Sequence, residues 1–154
     1  GEEETIEREI VEKAAILKVD PEGKQISFDP STGFIDFPGG MTRFIIRKDE
    51  ITGTYWTISN PNTCQAFINQ RNVLALYEST DLIKWDHRAT LIEDDLGLSP
   101  EESAKFTGFQ YALWQFDGDD MIFLLRTAYD GAHNFHDANR ITFHRLRDFR
   151  NISD

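Results

Sequence analysis

Charged and aromatic side chains are concentrated in the segment Arg126 to Arg145, which reads RTAYDGAHNFHDANRITFHR. Asp130 and Asp137 are candidate catalytic residues, because cleavage of a glycosidic bond normally needs two carboxyl groups held apart across that bond. His133, His136 and Asp137 form an H-x-x-H-D pattern, which would suit a metal ion only if the three side chains converged. We expect no metal and no other cofactor, and we interpret the segment as a loop that lines a carbohydrate site. The alternative is a polar connection between two strands.

The same segment carries side chains that could contact a sugar directly. Tyr129 could stack on a sugar ring, although an aromatic residue at a strand end is commonly a packing residue. The other candidates for substrate binding offer hydrogen-bonding groups: His133, His136, Asn139 and Arg140.

Composition narrows the classes of partner. The 154 residues carry a formal net charge of −11, which opposes binding to a phosphate backbone, so we expect no nucleic-acid partner. Apolar runs are short, and we expect no insertion into a membrane. Cys64 is the single cysteine, which excludes an internal disulfide bond. A neutral or polyhydroxylated ligand fits this composition better than nucleic acid or lipid does.

Short runs of β-branched and aromatic residues between Gly, Pro, Asp and Asn predict an antiparallel all-β fold. Helical spacing is confined to Glu4 to Ala15 and to Ser99 to Lys105, where Ser99 is the expected N-cap. Residues 1–13 are interpreted as an N-terminal extension and residues 14–29 as a hairpin. The stretch PSTGFIDFPGG, residues 30–40, is predicted to be a loop.

Two longer units follow and align with each other at a spacing of about 67 to 69 residues. The first, residues 41–93, has four predicted strands, and the second, residues 108–150, has three. Repeated four-stranded antiparallel sheets are typical of β-propeller blades, so residues 14–154 are interpreted as an incomplete β-propeller or a fragment of a larger one. A plain meander or a β-sandwich is the alternative.

Each strand of an antiparallel meander runs opposite to the one before it, so successive connections alternate between the two ends of the sheet. This alternation predicts which connections lie at the same end of the fold. The short turns EITG, TDLI and DGDD fall at one end, which we name the short-turn rim. DGDD is therefore interpreted as a hairpin turn rather than a carboxylate site. The four long connections fall at the other end, the long-loop rim, where function is expected to lie. They are residues 30–40, 61–70, 91–105 and 130–138.

Arginines recur at strand ends on the long-loop rim. A guanidinium group binds a carboxylate through two parallel hydrogen bonds and also binds sugar hydroxyls. Alternatively, each arginine pairs with an aspartate of a neighbouring loop. The candidates are Arg43, Arg71, Arg126 and Arg140.

Two groups of motifs resemble a known family. STDLIKW, residues 79–85, resembles the S-x-D-L-x-x-W signature of five-bladed propeller glycoside hydrolases. PGGMTRF, RNVLALYES, GFQYALWQFDGDD and the segment 126–145 resemble bacterial sialidase-like propeller proteins with five or six blades, a family of glycosyl hydrolases. The resemblance covers residues 14 to 150 and implies a β-propeller, an extracytoplasmic location and a carbohydrate ligand. In sialidases an arginine triad holds the substrate carboxylate, and Arg43, Arg71 and Arg126 are the candidates for it in this sequence.

We therefore expect a carbohydrate-active β-propeller protein, with glycoside hydrolysis as the first function and non-catalytic carbohydrate binding or a structural role as the alternative. The expected partners are a glycan and the rest of the propeller, supplied by a longer chain or by another subunit. A fragment, a ring completed by association and a small non-propeller domain all stay open.

Overall fold

The computed structural model describes residues 11–152, which form an antiparallel all-β arrangement with one short α-helix, as the sequence predicts. The strands and helices, in chain order, are β1 (Lys13–Ala15), β2 (Lys18–Val19), β3 (Ile26–Ser27), β4 (Phe34–Asp36), β5 (Ile46–Lys48), β6 (Tyr55–Ser59), β7 (Val73–Ser79), β8 (Asp86–Glu93), α1 (Pro100–Phe106), β9 (Gly108–Asp117), β10 (Asp120–Ala128), β11 (Arg140–Leu146) and a 3-10 turn (Phe149–Asn151).

Most strands belong to two meanders. The four-stranded sheet has the order β5-β6-β7-β8, and the three-stranded sheet has the order β9-β10-β11. These are the strands that the two repeat units predict. Two smaller pairs, β1 with β4 and β2 with β3, precede them, and neither meander closes on itself within the described residues.

The N-terminal region differs from the prediction in two places. The helix expected over Glu4 to Ala15 falls partly outside the described residues, and its last three residues form β1, paired with β4. The loop expected over residues 30–40 contains β4. Its exposure alternates, with Phe34 and Asp36 exposed and Ile35 buried, which is the two-residue period of a strand. Strand pairing between the two segments outweighs the weak helical spacing of the first.

The two meanders pack face to face around one apolar core. Trp114 links them further, because its indole N–H donates to the carbonyl of Ile45 and its own carbonyl accepts from Nε of Arg47, at 3.1 and 2.9 Å. Burial of this apolar surface is the main term that holds the meanders together. The buried cluster comprises Trp56, Ile58, Leu74, Leu76, Phe109, Ala112, Trp114, Met121, Phe123, Leu125 and Phe149.

The other face of the three-stranded sheet is open. Leu113, Leu124 and Phe143 are cross-strand neighbours on it and are 57%, 42% and 61% exposed, and Ile141 is 71% exposed. By contrast, every residue from Val73 to Tyr77 on β7 of the four-stranded sheet is buried, so that strand is covered on both faces. The two sheets thus differ in how completely their faces are covered.

The short turns lie together, as strand parity predicts. Arg150 joins two of them, because its guanidinium donates to Asp49 in the β5–β6 turn and to Asp119 in the β9–β10 turn. The DGDD segment is the β9–β10 turn, with Asp117 opposite Asp120. In STDLIKW, the Ser79 hydroxyl and the Asp81 carboxylate accept from backbone N–H groups, so this motif shapes the β7–β8 turn.

Candidate functional site

Buried polar contacts hold the long-loop rim together. The Asn60 amide, 3% exposed, donates to the carbonyl of Val73 in the four-stranded sheet at 2.7 Å and to that of Phe109 in the three-stranded sheet at 2.8 Å. Gly108 lies where a Cβ atom would be 2.5 Å from the carbonyl oxygen of Phe135, so the backbone can approach the 130–138 loop only without a side chain there. These contacts join the ends of the two sheets from which the long loops extend.

The arginines of the two rims have different partners. Near the short-turn rim, three arginines pair with carboxylates: Arg88 with Glu78, Arg145 with Asp117 and Asp120, and Arg150 with Asp49 and Asp119. Arg43, Arg71, Arg126 and Arg140 all lie on the long-loop rim, as predicted. None of these four forms an ion pair with a carboxylate in the part of the chain that is described. The alternative that each pairs with a loop aspartate therefore does not hold among these residues.

Arg71 is half-buried without a carboxylate partner. Its guanidinium donates to the carbonyl of Gln70 at 2.7 Å and, more weakly, to that of Met41 at 3.4 Å. Burial lowers the pKa of Arg71, and the nearby Tyr111 and Glu12 raise it in part. Carbonyl groups accept hydrogen bonds from the half-buried Arg71 guanidinium but do not neutralise its charge. The guanidinium can therefore still bind an anion.

Tyr111 contacts Arg126 and lies near enough to Arg71 to affect its pKa, and it was not anticipated from the sequence. Residues 110–113 of β9 face residues 124–126 of β10, so β9 carries one extra residue there, and Tyr111 adopts a positive φ of 55°. Bulges of this kind redirect a side chain and concentrate near functional sites. Arg126 lies 6.0 Å from the centre of the Tyr111 ring and donates to the carbonyl of His136 at 2.8 Å. We name Arg71, Tyr111 and Arg126 the arginine–tyrosine cluster.

A second aromatic contact lies on the same rim. The Tyr129 hydroxyl donates to the carboxylate of Asp95, and the guanidinium of Arg140 lies 5.1 Å from the centre of the Tyr129 ring. The hydrogen bond to Asp95 is the largest cause of a raised pKa for Tyr129. The Tyr129 ring therefore packs against Arg140, and its stacking on a sugar ring stays a prediction.

The 130–138 loop is shaped by its own side chains. The Asn134 amide oxygen accepts from the N–H groups of His136 and Asp137, and the Asp137 carboxylate accepts from Asn134 at 2.8 Å and contacts Nδ1 of His133 at 3.1 Å. The contact with His133 is the main reason that the pKa of Asp137 is lowered. His136 is exposed and contacts Phe135 edge to face. His133 and Asp137 thus converge, but His136 does not join them.

Asp130 and Asn139 occupy different environments. Asp130 is exposed, with a positive φ of 43°, at the turn that follows β10. The Asn139 amide accepts from the N–H of Tyr129 and donates to its carbonyl at 2.9 Å, so it closes the base of the loop. The roles of Asp130 in catalysis and of Asn139 in sugar binding stay predictions.

Residues 11–152 contain no group of three or more His, Cys, Asp or Glu side chains arranged to hold a metal ion. They also contain no helix that is long and apolar enough to cross a membrane.

Tyr111, Glu12 and Asp95 were not identified from the sequence, and all three lie outside the 126–145 segment. The one available signal is in GFQYALW, where strict alternation breaks around Tyr111. Comparisons of this chain with protein-family models, with curated proteins and with solved structures found no match.

Proposed function

We propose that the long-loop rim binds a carbohydrate that carries a carboxylate, and that the arginine–tyrosine cluster holds the carboxylate. One observation carries this proposal: none of the four arginines of this rim has a carboxylate ion pair in the described structure, whereas three arginines near the opposite rim, Arg88, Arg145 and Arg150, do. In a chain of net charge −11, loop carboxylates are abundant, so unpaired arginines favour an anion from outside.

The surroundings of the cluster suit the rest of a sugar. The Tyr111 ring is 40% exposed and offers an apolar face with a hydroxyl at its edge. His133, His136 and Arg140 are exposed side chains on the same rim and supply hydrogen-bonding groups for sugar hydroxyls. A polar rim with aromatic faces is typical of carbohydrate recognition.

Glycoside hydrolysis is the second candidate function. It is favoured by the position of Asp130 and Asp137 in one loop on the same rim as the arginines. The lowered pKa of Asp137 suits a base, a nucleophile or a stabilising anion, and Asp130 would then be the acid.

We further propose that the two meanders are consecutive blades of a β-propeller and that another sheet packs on the open face of the three-stranded sheet. The exposed row of Leu113, Leu124 and Phe143 supports this, because contiguous apolar surface of this kind marks an interaction site. The covering sheet belongs to the rest of a longer chain or to another subunit. The resemblance to sialidase-like propellers carries the related proposal of an extracytoplasmic location.

The test of carboxylate binding uses N-acetylneuraminate, D-glucuronate and D-glucose as probes in titration calorimetry and amide NMR. The two acids are expected to bind more tightly than glucose, and Arg71→Gln and Arg126→Gln are each expected to weaken the acids about 10-fold or more, the value of one hydrogen bond to a charged group. The matched control is Arg147→Gln, an exposed arginine beyond β11. Equal binding of acids and glucose, or equal effects of all three variants, would refute the proposal.

Hydrolysis is tested separately with a panel of aryl glycosides and sialosides. Turnover that is lost in Asp130→Asn and Asp137→Asn would establish the second candidate. Binding of the acids without turnover of any substrate would favour a non-catalytic module.

A further inference from the structure

The β2–β3 hairpin exposes an apolar face. Val19 and Ile26 are directly opposite each other in the strand pair and are 61% and 68% exposed. Side chains two residues apart along an extended chain lie on the same face, so Leu17 and Phe28, which flank the strands, extend this face and are also exposed. The Phe28 ring contacts the exposed ring of Phe34 edge to face, with centroids 5.0 Å apart. We name Leu17, Val19, Ile26, Phe28 and Phe34 the hairpin patch.

The hairpin patch has a defined shape. The Asp20 carboxylate accepts from the N–H groups of Lys24 and Gln25 at 2.6 and 3.0 Å, which closes the turn between β2 and β3. At the base of the hairpin, a Cβ atom on Gly33 would lie 2.5 Å from the Phe28 ring, so this ring packs directly on the glycine backbone. The apolar face is therefore formed before any partner binds.

The hairpin patch lacks a covering layer. Strands β2 and β3 have two residues each, and all four residues are exposed. A two-stranded hairpin is at best marginally stable in water unless another layer packs on it. Within residues 11–152, no segment buries the patch, since its side chains stay 37% to 68% exposed. A contiguous apolar surface of this kind marks an interaction site, so we expect a partner outside this copy of the chain.

The same chain carries a second uncovered apolar surface. It is the open face of the three-stranded sheet, where Leu113, Leu124 and Phe143 are cross-strand neighbours and Ile141 lies two residues before Phe143 on β11. We name these four residues the open-sheet patch. Both patches are exposed in one copy, so they do not cover each other within it. The side chains of both patches are uncharged, which makes each a suitable apolar surface for the other.

The two patches match in size. Each exposes roughly 400 to 500 Å² of apolar surface, in the range of the largest patches on monomers, which are often functional. An interface core is about 65% apolar, so the pairing of two such patches corresponds to an interface of roughly 700 Å² per partner. A stable interface needs about 800 Å² per partner. The contact is therefore large enough for a specific, reversible association.

We propose that the hairpin patch of one copy of this chain packs on the open-sheet patch of a second copy. The inference rests on the part of the proposed function in which another sheet covers the open face, and it names the β2–β3 hairpin as the covering element. Such a contact is head to tail, because each copy uses one patch and leaves the other free for a further copy. Each copy has a net charge of −11, so copies repel at long range, and salt should strengthen this apolar contact by screening the repulsion.

Sedimentation velocity of the whole chain over a range of protein concentrations tests the association. The average mass is expected to rise with concentration beyond that of two copies. It should rise further between about 0.1 M and about 1 M salt, where the Debye length falls from about 10 Å to about 3 Å.

One substitution in each patch tests which surfaces take part. Val19→Asp in the hairpin patch and Phe143→Asp in the open-sheet patch are each expected to weaken the association about 10-fold or more. Ile68→Asp is the matched control, because Ile68 is 55% exposed, lies outside both patches and changes the net charge by the same amount. Thermal unfolding of each variant shows that it folds.

Mixing the two variants tests the head-to-tail arrangement. Val19→Asp keeps an intact open-sheet patch and Phe143→Asp keeps an intact hairpin patch, so the mixture is expected to form pairs with one copy of each variant and nothing larger. Neither variant alone should form pairs at the same concentration. If instead each patch met its own counterpart on the second copy, one variant would associate as the wild type does.

The inference is refuted if the wild type stays a single copy at all concentrations, if Val19→Asp associates as the wild type does, if the mixture forms no pairs or if salt weakens the association. Weaker association of Phe143→Asp alone would keep the open face as an interface, as the proposed function requires, and would exclude the hairpin as its partner. Sugar acids are titrated into Val19→Asp as well, whose substitution lies outside the arginine–tyrosine cluster, so that the two proposals fail independently.

Discussion

The ion pair between Arg150 and Asp49 joins the end of the three-stranded sheet to the first turn of the four-stranded sheet, 101 residues earlier in the chain. Nε and Nη2 of Arg150 donate to the two oxygens of Asp49 at 2.7 and 2.9 Å, and the side chains are 15% and 3% exposed. Arg150→Gln removes the charge and leaves the carboxylate buried. Only the Thr52 hydroxyl and the N–H of Ile51 then bond to it.

Breaking a buried pair by removing one partner costs about 3 to 5 kcal/mol. The two remaining hydrogen bonds to Asp49 place this case near the lower limit, so we expect a loss of about 3 kcal/mol in the free energy of unfolding. For a domain of this size, that loss lowers Tm by about 6 to 12 °C. Urea denaturation followed by tryptophan fluorescence measures the free energy, and Arg147→Gln, at an exposed position, is the matched control.

The pH dependence gives an independent check. The hydrogen bonds from Arg150 hold the pKa of Asp49 well below its usual range. A lowered folded-state pKa contributes stability above the unfolded-state pKa of about 4, and that stability is lost as pH falls toward the folded-state value. The difference between wild type and Arg150→Gln should therefore shrink as the pH falls below about 4. A difference under about 1 kcal/mol at neutral pH, or one that does not change with pH, would refute the reasoning.

Three further predictions concern the long-loop rim. Asp95→Asn removes the carboxylate that raises the pKa of Tyr129, so titration of tyrosine absorbance should show that pKa moving down toward about 10, and no movement would contradict the contact. Asn60→Ala leaves one buried carbonyl in each sheet unpaired and should lower the free energy of unfolding by about 2 to 4 kcal/mol in urea, whereas a loss under 1 would contradict this assignment. Gly108→Ala places a methyl group against the Phe135 carbonyl and should cost about 1 to 3 kcal/mol and shift the amide signals of the 130–138 loop, while an unchanged spectrum would argue against the close approach.

Local patterns were sufficient to predict the strands of both meanders and helix α1. The β-branched runs and the Ser99 capping box act within a few residues of the chain, so they can be read without knowledge of the fold. Strand parity then placed the short turns at one end and the long loops at the other. The prediction was wrong for β1 and β4, because three-residue strands depend on each other rather than on their own propensity.

The candidate site could be predicted only in part. Arg71 and Arg126 were placed on the correct rim from sequence, but Tyr111 was not, because its direction depends on a one-residue bulge between β9 and β10. The β2–β3 hairpin was predicted, but its uncovered apolar face was not, since whether another segment covers that face depends on the tertiary structure.

The amino-acid sequence by itself determined the all-β class, the number and order of the main strands and the rim on which the long loops gather, because these follow from periodicity and chain reversal. Only the tertiary structure decided which charges are paired. Arginines and aspartates are scattered along the whole chain, and whether a guanidinium meets a carboxylate, a carbonyl or an aromatic ring depends on which segments the core brings together.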